Sequence, residues 1–321
     1  MLQPLHHTPP DDSPTEGSRS ASPEPLTRAP RHPERPGPAR DRLMLPPPAL
    51  QGAIEALIFR DTRGLPLTDA QRLSHFPASP LVCLSWYQGM DAGLIRGPGR
   101  PRWRPFGCQV TLSGSQSQPV TSWAPTTGRG GMVCLTSDAA RALFGIDPAV
   151  ALDRFLPASS ALGAEWQPLC QALARAPDDA ATVAALLQHL APRWQALQGR
   201  ASPAPSLGQL GRHWVDRLAL QAHDWARTHS TRQVERRIKA YSGRSLREWR
   251  ALVQTEGAFV AARARHEAGL PPAWAELAQD TGFADQAHLV RAARRITGFA
   301  PGEFAQRFEH DESFWIYRLW V

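Results

Sequence analysis

Lysine is almost missing from this chain. Lys239 is the only one in 321 residues, so arginine carries nearly all of the positive charge. Other absences exclude whole classes of function. No apolar run reaches the roughly 18–20 residues that a membrane span requires. The amino terminus opens on His6, His7 and a Pro-rich polar stretch rather than a basic-then-apolar signal pattern, so a cytoplasmic location is expected. The four cysteines (Cys83, Cys108, Cys134, Cys170) stand far apart among apolar neighbours. Without a Cys-x-x-Cys pair they suggest buried structural thiols rather than zinc or redox-motif chemistry. His75 and His213 lack metal-ligand spacing. Gly128-Arg129-Gly130-Gly131 is not followed by the Lys-Ser/Thr of a phosphate loop, and between strands it reads as a hairpin turn. No Gly-x-Ser-x-Gly elbow occurs, and Ser113-Gly114-Ser115 is turn chemistry. The expectation is a protein with no metal, cofactor or catalytic residue, and no enzyme.

What is present is a concentrated positive charge. The formal net charge is +7 and the pI about 10.0, a balance that favours polyanionic partners. Between positions 227 and 250 there are eight Lys or Arg residues against only Glu235 and Glu248. An ordinary solvated helix face mixes both signs, so this stretch points to nucleic acid.

The composition divides the chain. Residues 1–42 are rich in Pro, Ser and charge and poor in large apolar side chains, so they are expected to be disordered. Residues 43–198 form a β-rich region with a helical carboxy-terminal part. Its candidate strands are 53–59, 81–88, 109–113, 120–123 and 132–136. Its candidate helices are 138–146 (with Asp138 as N-cap), 165–176 and 179–197. Residues 199–206 read as a Pro/Gly linker, where proteolysis is expected to cut. Residues 207–310 form an all-helical region, and 311–321 an aromatic tail. The fold class is therefore α+β.

Two helix-turn-helix patterns occupy the helical region. In the first, Val234, Ile238 and Tyr241 share an inward face, while Arg232, Arg236 and Lys239 lie opposite with Glu235 beside them. In the second, Leu289, Ala292, Ala293 and Ile296 point inward, with Ala287, Arg291 and Arg294 opposite and Asp285, Gln286 and His288 in the first turn. Arg bridges guanine O6 and N7, Glu accepts from cytosine N4, and Gln pairs with adenine. A helix over 246–267 joins the two motifs. Ser245 is its candidate N-cap, Gly269 its stop, and Leu246, Trp249, Leu252, Val253, Phe259 and Val260 its apolar stripe. Its 22 residues span about 33 Å. One turn of duplex is about 34 Å, so motifs held at its two ends would meet successive major grooves.

The segment from about 207 to 308 resembles the DNA-binding domain of the AraC/XylS family of bacterial transcription regulators. The resemblance is carried by Gly282-Phe283-x-Asp285-Gln286-x-His288-Leu289-x-Arg291 and by Thr297-Gly298-Phe299-x-Pro301-Gly302-Glu303-Phe304. A parallel series is Ser230-x-Arg232-Gln233-Val234-Glu235-Arg236-Arg237 with Ser242-Gly243. It implies a seven-helix domain that binds promoter DNA without metal or nucleotide and is associated with the nucleoid. The DNA-binding set is Thr231, Arg232, Gln233, Glu235, Arg236, Lys239, Asp285, Gln286, His288, Arg291 and Arg294. Two departures stand out: Thr228 occupies the position where the family's first turn has Gly, and Ala293 the position of a bulky aromatic anchor.

The amino-terminal region is similar to the β-rich sensory domains that precede this domain in one branch of the family. The similar residues are Asp61-Thr62-Arg63-Gly64, His75 through Pro80 and Ala191-Pro192-Arg193-Trp194. The resemblance implies control by a small-molecule effector or by self-association, with RNA polymerase and a second copy of the chain as candidate partners. Cys83, Trp86 and Trp123 are candidate pocket residues. Two other readings stay open: a repressor or architectural DNA binder with no effector, and a thiol-based DNA alkyl acceptor fused to such a domain. The second needs an activated thiolate, which the apolar settings of the cysteines oppose. The carboxy-terminal part alone is expected to bind DNA without effector response.

Overall fold

The structure is a computed structural model that describes residues 22–33, 40–96, 102–198, 210–242, 244–271 and 273–320. The expected linker at 199–206 lies outside the described residues, as do the side chains of Tyr241 and His213. Among the described residues no helix is long and apolar enough to cross a membrane.

Among the described residues ten strands form two antiparallel sheets. They are β1 (Asp41–Met44), β2 (Ile54–Asp61), β3 (Ser74–Phe76), β4 (Val82–Gln88), β5 (Gly93–Arg96), β6 (Arg102–Pro105), β7 (Val110–Ser113), β8 (Val120–Trp123), β9 (Arg129–Leu135) and β10 (Phe155–Pro157). The larger sheet runs β1-β2-β9-β4-β7-β10 and the smaller β3-β8-β5-β6. Six helices belong to this half: α1 (Ser137–Phe144), α2 (Pro148–Ala151), α3 (Ala158–Ala161), α4 (Gln167–Arg175), α5 (Asp179–His189) and α6 (Ala191–Gln198). The cap of α1 is Thr136 rather than Asp138, its hydroxyl accepting from the Ala139 N–H. The apolar stretch over 179–197 is two helices, broken where Ala191-Pro192 removes a backbone donor.

Gly128-Arg129-Gly130-Gly131 is not a turn: from Arg129 onward it is the start of β9. Gly131 lies opposite Trp86, and a Cβ there would come 2.5 Å from the indole. The missing side chain makes room for Trp86, which packs edge-on against Phe59 at 5.8 Å. Arg129 is fully buried and bonds Asp179 at 2.9 Å and the Ala176 carbonyl at 2.9 Å, which pins α5 to the strand.

Strand alternation gives the larger sheet two apolar faces. On one, Leu57, Phe59, Leu84, Trp86, Val133 and Leu135 meet α4 through α6 via Leu169, Leu173, Leu186 and Trp194. On the other, Ala56, Ile58, Cys83, Met132 and Cys134 meet residues from the far end of the chain: Phe259, Ala293, Phe299, Phe304, Phe314 and Trp315. The helical half comprises α7 (Leu210–Ala226), α8 (Thr231–Ser242), α9 (Leu246–Glu267), α10 (Trp274–Asp280), α11 (Gln286–Thr297), α12 (Pro301–His310) and α13 (Trp315–Trp320).

The terminal stretch is thus part of a shared core. Glu312 is 1% exposed; it accepts from Arg60 at 2.9 Å, from Arg40 at 3.3 Å and from the His32 backbone at 2.9 Å. Residues 22–33, expected to be disordered, run along this same seam. Pro30 bridges Asp311, the Arg31 N–H donates to the His310 carbonyl at 3.0 Å, and the Arg307 guanidinium donates to the Leu26 carbonyl at 2.6 Å. Backbone hydrogen bonding to an ordered partner supplies what their own composition cannot.

Removing the acid would strand two arginines beside the seam. Glu312→Ala should destabilise the chain by about 3–5 kcal/mol, read as a lower urea midpoint at unchanged m, and Glu312→Gln by less. An unchanged midpoint would mean the cluster contributes nothing net.

His75 supplies a pH-dependent term at the same seam. Its Nδ1 lies 3.1 Å from Thr121 Oγ1, and its ring meets Phe299 and Phe314 edgewise at 5.1 and 5.5 Å. Burial, and then the positive charge of Arg307, push its pKa down to about 3. Folded His75 is therefore neutral, whereas the unfolded residue titrates near 6.5. Between those values the unfolded chain holds the extra proton. The contribution is complete above about pH 6.5 and lost as the pH falls, by up to ~1.4 kcal/mol per pH unit. His75→Gln should flatten the dependence of urea stability on pH between 6.5 and 4. Parallel slopes for the two proteins would show that His75 is not the group responsible.

Candidate nucleic-acid interface

The interface is built on α9. Ser245 caps it in a capping box with Glu248, and Trp249, Leu252, Thr255, Ala258, Phe259 and Ala262 are its buried positions. Val253 and Val260, assigned to the stripe from spacing, are half-buried at its edge. Two helix pairs pack on it: a first unit, α7 and α8, against Trp249 and Leu252, and a second unit, α10 and α11, against Ala258.

In the first unit Ile238 is buried and Val234 half-buried, joining Val215, Leu218, Trp249 and Leu252 in one cluster. That fixes the outward face of α8, where Thr231, Arg232, Glu235, Arg236 and Lys239 are all exposed. Glu235 and Lys239 pair at 3.4 Å on the surface. Gln233 has a different task. Its amide oxygen accepts from the Ser230 N–H at 2.9 Å, while its own N–H donates back to the Ser230 hydroxyl at 3.4 Å. This reciprocal cap satisfies two donors that the first turn leaves open. The nearby basic residues also divide. Arg237 turns back over Trp225, 5.6 Å from the ring centroid, and Arg244 donates to the Ser117 carbonyl at 2.8 Å. Burial lowers the Arg244 pKa. Thr228 adopts no left-handed conformation; among the described residues Asp153 is the only non-glycine at positive φ. The first turn therefore closes without the glycine geometry, its Thr228 N–H donating to the Trp225 carbonyl.

In the second unit Gly282 is the left-handed turn residue, at φ 81°. Leu289, Ala292, Ala293 and Ile296 are buried as their spacing requires, and Ala287, Arg291 and Arg294 are exposed. Gln286 and His288 are exposed in the first turn, with His288 edge-on to Phe283 at 5.2 Å. Asp285 is the N-cap of α11, its carboxylate accepting from the His288 N–H at 2.6 Å. Ala293 packs in the shared cluster with Phe299 and Phe304.

A cavity of about 230 Å³ lies where the sheets meet this helical half. The larger sheet lines it with Ile58, Cys83, Met132 and Cys134, the smaller with Leu94, Val120 and Trp123, and the helices with Leu252, Phe259, Ile296 and Phe304. Of the three candidate pocket residues, Cys83 and Trp123 line it. Trp86 does not: alternation along β4 turns it to the opposite face, against the helices. Phe76 through Pro80 also line it. Ala78 inserts into the first unit's core, and its N–H donates to the Ile296 carbonyl at 2.8 Å. No local pattern reveals this contact in the sequence; the one signal for the seam was the aromatic run Phe314-Trp315-Ile316-Tyr317. Among the described residues no group of three or more His, Cys, Asp and Glu is placed to hold a metal.

No known family model and no curated protein matches this chain. Among solved structures it is similar to ToxT from Vibrio cholerae. A 1.65 Å structure of that protein has a TM-score of 0.34, with 10% identity over 73% of this chain and 94% of ToxT. ToxT from strain O395 gives 0.33 at 10% identity over 73% and 93%. The unsaturated fatty acid-bound ToxT of strain SCE256 gives 0.32 at 10% identity over 72% and 93%.

The cap geometry separates two roles for Asp285. Asp285→Ala should cost about 1 kcal/mol of stability through loss of the cap, whereas Asp285→Ser should keep it. If capping is the whole role, Asp285→Ser binds DNA like the parent. Reduced affinity of that stable variant, read by fluorescence anisotropy, would assign the carboxylate to the DNA.

Proposed function

We propose that this chain is a sequence-specific DNA-binding transcription regulator of the AraC type. It reads duplex promoter DNA with α8 and α11 and takes its input through the β-rich half. The observation that carries this reading is the pairing of two exposed, arginine-bearing helices, each behind a turn and each backed by a buried stripe, on one connecting helix. In this reading the two helices enter successive major grooves on one face of a duplex. Arg232, Glu235, Arg236 and Lys239 meet one groove, and Gln286, His288, Arg291 and Arg294 the next. Thr231 stands at the start of α8, placed for a phosphate. Gln233 and Asp285 shape the helix ends.

The cavity supports an effector role for the amino-terminal half, because its walls come from both halves and are largely apolar. A small apolar molecule held there would touch the sheet and the helices at once. RNA polymerase and a second copy of the chain are the proposed protein partners.

Binding should fall about a thousandfold between 50 and 200 mM salt if roughly six phosphates are contacted. Arg232→Ala, Arg236→Ala or Arg291→Ala should each cost about 1–3 kcal/mol and relax preference at one base pair. Arg250→Ala, exposed on α9 and placed outside the groove, should weaken all sequences alike. Anisotropy titrations on duplexes selected from genomic fragments measure both effects. A flat salt response, or equal sequence-independent losses at every position, would overturn the reading.

A further inference from the structure

Two of the four cysteines meet across the sheet. Cys83 on β4 and Cys134 on β9 are directly opposed in the antiparallel register, and their sulfurs are 3.7 Å apart. Opposed residues in such a ladder have Cα atoms about 4.5–5.5 Å apart, inside the roughly 4.4–6.8 Å that a disulfide spans. Side-chain rotation alone can therefore close the bond. Cys83 is half-buried and Cys134 buried, and both line the interdomain cavity. Both also belong to the cluster that seats Phe259, Phe304 and Trp315 on the sheet. Cys108 and Cys170 share neither feature. Burial raises the pKa of each.

We propose that Cys83 and Cys134 are an oxidisable dithiol, a modification site on the sheet face that carries the helical half. The oxidant is a hydroperoxide small enough to enter the cavity. The Cys83 sulfur attacks the terminal peroxide oxygen and gives up its thiol proton. The O–O bond breaks, the alcohol (water, for hydrogen peroxide) leaves with a proton, and Cys83 becomes a sulfenic acid. The Cys134 sulfur then attacks the Cys83 sulfur; an S–S bond forms, the S–O bond breaks, and water leaves with the Cys134 proton. Two thiols and one hydroperoxide give one disulfide, one alcohol and one water. Cys134 is the resolving partner, because its hydrogen bond with Cys83 and its burial hold its pKa well above the ordinary thiol value. Closing the bond draws the sulfurs from 3.7 Å to about 2.05 Å and away from the aromatic residues packed on them. A close-packed seam registers such a shift.

The test uses the full chain treated with hydrogen peroxide, then N-ethylmaleimide, with intact-mass and peptide analysis. The expected result is the loss of two hydrogens, a crosslinked peptide joining Cys83 to Cys134, and reversal by dithiothreitol. Cys134→Ser should stop at a Cys83 sulfenic acid that dimedone traps, and Cys83→Ser should leave Cys134 reduced. Thermal melts of both variants establish that they are folded. Oxidation confined to Cys108, a disulfide between two chains, or conversion of Cys83 to sulfinic acid without a crosslink would each overturn the proposal.

Discussion

A sheet with two apolar faces needs two covers, and this chain makes only one of them locally. The helices that follow β9 close one face of the larger sheet with Leu169, Leu173, Leu186 and Trp194. The other face, presenting Ala56, Ile58, Cys83, Met132 and Cys134, is closed by residues more than a hundred positions away. Six strands cannot leave that surface open to water, since each buried aliphatic or aromatic side chain is worth roughly 1.5–3 kcal/mol. The carboxy-terminal aromatics are therefore a structural requirement of the amino-terminal half. Glu312 fixes their position, because a carboxylate 1% exposed is held only by the arginines and backbone donors around it.

This sharing changes what the helical half is. As an appended domain it would close its own core. Instead the first unit's cluster includes Ala78, and the second unit's supporting aromatics Phe299 and Phe304 belong to the sheet's cluster. Large apolar interfaces remove the freedom of motion that small polar ones leave between domains. Separating the two halves would uncover Phe299, Phe304, Phe314 and Trp315 together. A stretch that reads as a linker by composition thus joins two halves of one core. The same sharing gives any change at the sheet a direct route to α9 and α11, through contact rather than through a hinge.

Legibility in the sequence followed pattern length. The 22-residue stripe of α9, its Ser245 cap and the four inward positions of α11 were readable because a helical period repeated over several turns is hard to mistake. Strands β2, β4, β7, β8 and β9 were visible as apolar runs between Gly, Pro and Ser clusters. β1, β3, β5, β6 and β10 were not: each is three or four residues long, and β6, Arg-Trp-Arg-Pro, is largely exposed. Gly128 to Gly131 misled because glycines next to a strand look like a turn, when Gly131 admits the Trp86 indole and Gly128 and Gly130 lie against strand carbonyls and Met90. Among the site residues, the outward set on α8 and α11 followed from the inward one. Which of them cap helices did not, since Gln233 and Asp285 offer the same oxygen to a backbone donor or to a base.

The cavity follows from the same two-face constraint. Rings of Phe259, Phe304, Trp315 and Trp123 converge from three directions on strands whose side chains there are mostly small or flexible. Rigid rings meeting a pleated surface cannot fill every gap. Filling an apolar space of about 230 Å³ takes its lining out of water, which is favourable by roughly 25 cal/mol per Å² of apolar surface covered. A molecule that fits it recovers part of that energy only while sheet and helices are docked as they are here. Its binding free energy is then also stabilisation of the docked arrangement, by the linkage that ties any ligand to the state it prefers. A small apolar ligand in this space would in this way set how firmly α9 and α11, which both line it, are held against the sheet.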